Sequence, residues 1–239
     1  MDSDMRSKLS VLGVSLGLPR PPIGLAFVDQ PPTGIDRLDA SVPAACSFWR
    51  LAEQQVFYAA EDEHLNCPIG VMTMGFQIPE DRQEEADSIV GTMCELEYIT
   101  PEEANAMPSV PGDHKGIVYG PLAQMPVEPD VAVFFCNPSQ AMLLTEASGG
   151  VSLTGEGMTA FGRPTCAAVP MALKSMNTSM SVGCVGFRVY TGIPDEELMI
   201  VVPRDQIKRL VDKLAATVSA NSTLEEFHTQ RRLELSSTP

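Results

Sequence analysis

The apolar residues of this chain fall into short runs, and this pattern limits what the chain can fold into. The longest runs, at 131–136 and 198–202, have the length of a β-strand and fall far short of the roughly 20 residues that cross a bilayer. Between the runs, apolar residues recur at helical spacing, as at Met5, Leu9, Leu12 and Leu16. The alternation of the two patterns over 239 residues predicts an α/β (mixed α+β) fold in which a mixed sheet is flanked by helices.

No low-complexity linker interrupts this alternation, so we expect a single compact domain over 1–235 and a frayed tail over 236–239. Proline, glycine and capping residues set the expected element boundaries. Helices are predicted at 4–16, 43–55, 79–97, 138–147, 203–219 and 224–233, with a short one beginning at Pro101. Strands are predicted at 23–28, 56–60, 116–122, 130–135, 187–191 and 198–202, and the polar segment 61–70 is assigned to a loop.

The order of these predicted elements repeats along the chain. Each copy contains a cysteine, a helix, a second cysteine with a glycine nearby, and then a strand, a turn, a strand and a helix that begins at a proline. The cysteine pairs are Cys46 with Cys67 and Cys166 with Cys184. This repeat predicts two related strand-turn-strand-helix halves, at about 20–150 and 151–220, packed as one domain.

The net charge of −15 argues against several classes of partner. A phosphate backbone or an anionic membrane would be repelled by most of such a surface, so we expect neither nucleic acid nor a membrane as a partner. The start of the chain is acidic and lacks a basic region followed by an apolar stretch, so it does not predict a secretory signal. We therefore expect a cytoplasmic protein whose six cysteines are reduced, metal-bound or reactive rather than paired as disulfides.

Four cysteines are candidate cofactor-binding residues and metal ligands, because a duplicated fold brings equivalent positions together. Thiolate sulfur suits an iron–sulfur cluster or zinc, and the glycines near Cys67 and Cys184 would let backbone N–H groups point at sulfur. The predicted ligands are Cys46, Cys67, Cys166 and Cys184. We prefer an iron–sulfur cluster, with zinc as the alternative, because the chain has no C-x2-C pair. Structural buried thiols or thiol redox chemistry remain open alternatives.

Three further residues are candidates for binding the cofactor. His64 lies three residues before Cys67 and could supply an imidazole ligand or a hydrogen bond, and the alternative is an exposed loop histidine. Arg163 and Arg188 flank the second cysteine pair, where a guanidinium could hold an anion or balance thiolate charge. An ordinary salt bridge is the alternative for each arginine.

The remaining notable residues are assigned to structure. We expect Cys94 and Cys136 in the core, Trp49 in the core or in a pocket wall, and His114 and His228 in solvent. The dinucleotide-binding, Walker A, zinc-protease and nucleophile-elbow motifs are absent from the sequence.

Several stretches, at 22–27, 64–70, 121–122, 129–131, 140–142 and 181–188, resemble a known family. The most specific is the last, Ser181-Val182-Gly183-Cys184-Val185-Gly186-Phe187-Arg188. The family is the group catalogued as domain of unknown function 169 (DUF169), found in archaea and bacteria. The resemblance implies the same four cysteines, which match the cysteines typical of the family. It also implies a histidine two residues before the loop cysteine, whereas His64 lies one residue further away.

Three hypotheses for function follow. In the first, a cysteine-ligated cofactor, an iron–sulfur cluster, lies between two related halves and serves electron transfer, sensing or redox chemistry with a small-molecule or redox partner. In the second, the chain binds a small molecule in a pocket walled by Trp49 and closed by Arg163 or Arg188, and its cysteines are structural. In the third, the chain is an enzyme whose nucleophile, Cys67 or Cys184, is activated by His64.

Overall fold

The computed structural model describes residues 3–151 and 164–236. The helices in these residues are α1 (Ser3–Ser15), α2 (Ser47–Ala52), α3 (Glu61–His64), α4 (Pro68–Thr73), α5 (Gln83–Glu95), α6 (Pro101–Asn105), α7 (Pro138–Ser148), α8 (Ala168–Ser175), α9 (Val185–Thr191) and α10 (Arg204–Ser236). The strands are β1 (Ile23–Val28), β2 (Phe57–Ala60), β3 (Gly116–Pro121), β4 (Val131–Cys136), β5 (Ser179–Ser181) and β6 (Leu198–Pro203).

The six strands form one sheet in the order β2-β3-β1-β4-β6-β5. The predicted α/β class, a sheet flanked by helices, is confirmed. The sheet is antiparallel rather than mixed, because every adjacent pair of these strands runs in opposite directions. Strand direction could not be read from the apolar runs, since a strand that is buried on both faces loses the polar–apolar alternation typical of an antiparallel sheet.

Helices cover both faces of the sheet, and β4 shows how its residues divide. Val131, Val133 and Phe135 point into a cluster that includes residues of α2, α4, α8 and α9. The alternate residues of β4 point into a second cluster with residues of α1, α7 and α10. The candidate site lies among the helices of the first face.

Capping residues explain why the predicted helices after Thr100 and Asn137 are present. The Asn137 Oδ1 accepts the Gln140 N–H and the Gln140 Oε1 accepts the Asn137 N–H, both at 2.9 Å, which closes a capping box at the start of α7. Thr100 and Glu103 make the same pair of bonds at the start of α6. Local sequence and tertiary structure agree at both positions.

Residues 187–191, predicted as a strand, are helical and belong to α9. The Cys184 sulfur caps the start of this helix, and Gly192, with φ at 64°, ends it in the left-handed conformation. The β-branched and aromatic residues of this segment favour a strand only weakly, and the two caps override that preference.

Four other segments differ from the prediction. Residues 61–70, predicted as a loop, form α3 and the first turn of α4. The helix predicted at 43–55 forms only over Ser47–Ala52, and the helices predicted at 203–219 and 224–233 are the single helix α10. The last residues of the expected tail, 237–239, lie outside the described residues. No helix in 3–151 or 164–236 is both long and apolar enough to cross a membrane.

The strand order is symmetric about its centre, where β1 pairs with β4. Both halves follow the same order along the chain: a central strand, a cysteine beside a helix (α2 or α8), an edge strand, a cysteine-capped helix (α4 or α9) and an inner strand. This correspondence matches α9 with α4 and differs from the predicted strand-turn-strand-helix repeat. It divides the halves at 23–121 and 131–203, and superposition of the halves stays a prediction.

Candidate functional site

A cavity of about 560 Å³ opens where the beginnings of several helices meet. Residues at the start of α2, α4 and α9, and in the 3₁₀ turn Thr165–Ala167 before α8, form one part of its lining. The rest comes from residues 83–107, which we call the α5–α6 cover, and includes Ile89, Val90, Met93, Leu96, Tyr98, Ile99, Ala104 and Met107. The lining residues that the structure describes include no Asp, Glu, Lys, Arg or His.

The four cysteines predicted from the sequence all line this cavity. Cys46, Cys67 and Cys184 directly precede α2, α4 and α9, and Cys166 lies in the 3₁₀ turn before α8. The two cysteines assigned to the core lie elsewhere, since Cys136 is buried on the opposite face of the sheet and Cys94 is half-buried on α5. The structure therefore brings together the same four thiols that the sequence singled out.

Cys67 and Cys184 have matching local geometry. Each sulfur accepts a hydrogen bond from a backbone N–H three residues later, at 3.3 Å from Gly70 and 3.4 Å from Phe187. A Cβ on Gly70 would lie 2.5 Å from the Ala45 Cβ, so α4 passes this close to the start of α2 only because residue 70 is glycine. The N–H of Cys184 donates to the Thr165 Oγ1 at 2.6 Å. This bond holds Cys184 against the segment that carries Cys166.

Cys46 and Cys166 are neutral thiols at neutral pH. Burial, followed by the nearby Cys67 and Cys184 thiols, raises the pKa of Cys46 to about 12. Burial also raises the pKa of Cys166, with smaller contributions from the other three cysteines, while a hydrogen bond with Thr73 acts in the opposite direction. These mutual effects require the four sulfurs to lie near one another.

The positions of the sulfurs do not fit a single ion. In residues 3–151 and 164–236, no group of three or more His, Cys, Asp or Glu side chains is placed to hold a metal ion. A structural zinc needs four ligands at about 2.0–2.3 Å from one atom, so these thiols would have to move to bind it. An iron–sulfur cluster distributes four thiolates over two or more irons, so its ligands are spread further apart than those of a single ion. Four thiolates are the donor set both of a zinc site and of an iron–sulfur cluster, so the donor set alone does not decide between them.

His64 lies in the core and does not line the cavity, so the alternative of an exposed loop histidine is wrong and its position does not suit a ligand. Its side chain is 1% exposed, because residues 61–64 are helical and turn the ring towards the sheet. The Nδ1–H donates to the Ala60 carbonyl at 2.6 Å, and the Nε2 accepts the Tyr119 O–H at 2.9 Å. Burial lowers the pKa of His64 to about 4, so the ring is uncharged at neutral pH.

Tyr119 connects His64 with the cysteines, and sequence reasoning missed it. Burial, followed by the nearby Cys166 and Cys46, raises the pKa of this fully buried phenol. Tyr119 lies on β3 in the same cluster as Ile117, two residues earlier. The alternation of inward-facing residues along the predicted strand 116–122 was the signal that could have found it.

Arg188 does not bind at the cavity either. Its guanidinium donates to the carbonyls of Val182, Pro194 and Glu197 and lies 3.7 Å from the Asp195 carboxylate. These bonds close the loop between α9 and β6, and Arg188 is not among the residues that line the cavity, so its predicted role in cofactor binding has no support. Arg163, the other predicted arginine, lies outside the described residues.

The structure also places Trp49 and the two remaining histidines. Trp49 is fully buried against Phe135 and Phe187, at ring distances of 6.2 and 5.9 Å, so it is a core residue and not a pocket wall. His114, expected in solvent, is buried and donates from Nε2 to the Met74 carbonyl at 2.8 Å. His228 lies on the exposed part of α10, as expected.

Comparisons with known proteins match most of the chain. A family model described as uncharacterised ArCR, DUF169, matches residues 11–213. An uncharacterised protein of Methanocaldococcus jannaschii is 29% identical over 199 residues, which covers 78% of this chain and 82% of the relative. No solved structure matches the chain.

Proposed function

This chain belongs to the family of uncharacterised ArCR proteins, DUF169, and we propose that it binds a cysteine-ligated iron–sulfur cluster in the cavity. The observation that carries the proposal is that four of the six cysteines, from both halves of the fold, line one cavity whose described residues include no charged side chain. Thiols that only fill the core need not lie beside one cavity. Cys136, which is buried on the other face of the sheet, is an example.

Each pair of cysteines has its own part in the proposed site. Cys67 and Cys184 already accept backbone N–H groups, and such bonds stabilise ligating thiolates and tune a reduction potential. Cys46 and Cys166 are protonated because they are buried, so a cluster that binds to their sulfurs releases these protons. A bound cluster would supply one-electron chemistry for electron transfer, sensing or a redox reaction. The proposal places the chain in the cytoplasm, where thiols stay reduced.

The nucleophile hypothesis has less support. Both ring nitrogens of His64 are engaged, with the Ala60 carbonyl and the Tyr119 hydroxyl, so neither is free to accept a proton from Cys67 or Cys184.

The test is anaerobic purification and reconstitution, followed by iron, acid-labile sulfide and zinc analysis and an absorption spectrum. We expect iron and sulfide in similar amounts, and a clear loss of both when any one of Cys46, Cys67, Cys166 and Cys184 is changed to serine. Cys94→Ser is the matched control, because this cysteine is half-buried and lies outside the cavity lining. Protein without bound iron, or an equal loss of iron in Cys94→Ser, would contradict the proposal. Zinc bound through the same four residues would show a zinc site instead of a cluster.

A further inference from the structure

We propose that the cavity also binds an uncharged, mainly apolar small molecule between the cysteines and the α5–α6 cover. The role of this molecule, which is to act together with the bound cofactor, rests on the function proposed above. Charged residues make up 20% of the chain, yet none of the described lining residues is charged. The volume of about 560 Å³ lies within the range of roughly 300–1,000 Å³ typical of small-molecule pockets.

Two polar side chains of the described wall, Asn66 and Thr165, already make hydrogen bonds within the protein. The Asn66 Nδ2 donates to the Ser41 Oγ and the Val42 carbonyl, both at 2.9 Å, and the Thr165 Oγ1 accepts the Cys184 N–H. An ionic ligand would therefore lose its hydration without gaining a charged partner among the described lining residues. An apolar molecule loses little hydration and gains contact with Val90, Met93 and Met107.

The cover is attached in a way that permits entry. Ala86 is the only buried residue among those of α5, so the helix is held over the cavity by few contacts. Exposed apolar side chains stand at the rim, with Leu96 at 73% exposure on the cover and Val185 and Tyr190 at 70% and 49% on α9. Apolar residues clustered at a cavity mouth are typical of a binding site for an apolar ligand.

The test uses Nile red, an uncharged fluorescent dye, titrated into protein with and without iron. We expect saturable, blue-shifted emission, displacement by 1-decanol and no displacement by decanoate at the same concentration. Met93→Glu places a carboxylate in the lining and should weaken dye binding at least about tenfold while the iron content is unchanged. Thr92→Glu is the control, because the neighbouring residue is exposed and does not line the cavity.

Three results would overturn this proposal: no saturable dye binding by the unchanged protein, equal displacement by decanoate, or an equal loss in Thr92→Glu. Absence of iron with intact dye binding would instead reject the cluster and leave the apolar site in place. Melting curves of both variants show whether either change has unfolded the protein.

A second inference comes independently from α10. Asn221 is its last half-buried residue and donates to the Glu146 Oε2 at 2.8 Å, and every residue at 222–236 is exposed. This segment, which we call the α10 extension, carries Leu224, Phe227 and Leu235 at 54%, 60% and 62% exposure. It begins after residue 213, where the match to the family model ends.

The α10 extension has an apolar face exposed to water. It continues a packed helix, but Thr223, His228 and Thr229 are weak helix formers, so pairing with another helix would add to its stability. Leu224, Phe227 and Leu235 recur at spacings of three and eight residues, which places them on one face of the helix. Packing that face against another helix would remove their apolar surface from water.

The order of charges identifies the partner as a second copy of the chain. Glu225 and Glu226 precede His228, and Arg231 and Arg232 follow it at nearly the same distance. Glu234 also lies in the second half, which keeps two basic residues against one acidic residue. When two such helices pair antiparallel about a two-fold axis near His228, the acidic half of each lies beside the basic half of the other. We infer that the chain forms a homodimer through antiparallel α10 extensions, since this local attraction offsets repulsion between two chains of charge −15.

Sedimentation equilibrium over ~1 to ~300 µM protein tests the dimer. We expect the unchanged chain to dimerise reversibly. Glu225→Arg with Glu226→Arg, and separately Arg231→Glu with Arg232→Glu, should each give monomers, because like charges then face each other. The variant with all four changes restores the complementary order and should dimerise again. A monomer at every concentration, dimers in either double variant, or no rescue in the fourfold variant would overturn the inference.

Discussion

At the scale of single residues, the cavity combines two kinds of thiol. Cys67 and Cys184 each accept a backbone N–H, whereas burial raises the pKa of Cys46 and Cys166 and holds them in the neutral form. Any ligand that binds all four must displace protons from the buried pair, so its apparent affinity rises with pH. Behind them, His64 and Tyr119 form a buried, uncharged hydrogen-bonded pair that holds the wall of the site in place.

His64 should make stability depend on pH. Burial lowers its pKa from 6.5 to about 4 in the folded protein, so between these values the unfolded chain binds a proton that the folded chain does not. The stability due to neutral His64 is complete above about pH 6.5 and is lost as the pH falls, by roughly 3 kcal/mol at pH 4. We expect His64→Gln, which cannot titrate, to be less stable than the unchanged protein at pH 7, with a difference that shrinks towards pH 4.

Urea unfolding at several pH values measures that difference, and carboxylate titration common to both proteins cancels from it. His228→Gln is the control on the exposed α10 extension and should show no such convergence. A difference between His64→Gln and the unchanged protein that stays constant with pH would show that His64 is not buried in its neutral form.

At the scale of elements, the sequence predicted structure wherever a local signal and tertiary packing agree. The capping boxes of Thr100 and Asn137 and the apolar runs of β1, β4 and β6 are such cases. The strand β5 was missed because it has three residues, two of them serines, and the Ser179 hydroxyl is satisfied by the Ala168 carbonyl at 2.5 Å. A buried serine in a short strand carries no apolar signal.

The same limit decided which site residues could be predicted. The four cysteines were found because their pairing repeats in sequence and does not depend on local conformation. His64 and Arg188 were misplaced because α3 and α9 were not recognised as helices, and the direction of a side chain follows from its element. A cysteine N-cap such as Cys184 gives no usual capping signal, since Ser, Thr, Asp and Asn are the residues that mark helix starts.

At the scale of the whole molecule, the symmetric sheet accounts for the position of the site. The central pair β1 and β4 brings the two halves side by side, so the helices that follow equivalent cysteines begin near the same point. A second contact between halves lies at Arg20, which donates to both Glu197 oxygens at 3.1 and 3.2 Å. Its Nε lies 3.8 Å from the Glu53 carboxylate after α2. Arg20 therefore neutralises one buried carboxylate from each half.

Replacing Arg20 should weaken the contact between the two halves and so destabilise the fold. Arg20→Met leaves Glu53 and Glu197, both 8% exposed, facing each other with less compensation, and we expect a loss of about 3–5 kcal/mol in the free energy of unfolding at pH 7.

Burial raises the pKa of Glu53 although Arg50 and Arg20 oppose this, so the group destabilises the fold increasingly as the pH rises. Removing Arg20 strengthens that effect, and the variant should recover part of its loss as the pH falls towards the raised pKa of Glu53. Arg37→Met is the matched control, because Arg37 is 51% exposed and its pairs with Asp62 and Glu63 should contribute less than about 1 kcal/mol. Equal losses in the two variants, or a loss in Arg20→Met that does not change between pH 7 and 5, would show that the two halves are not coupled through this buried cluster.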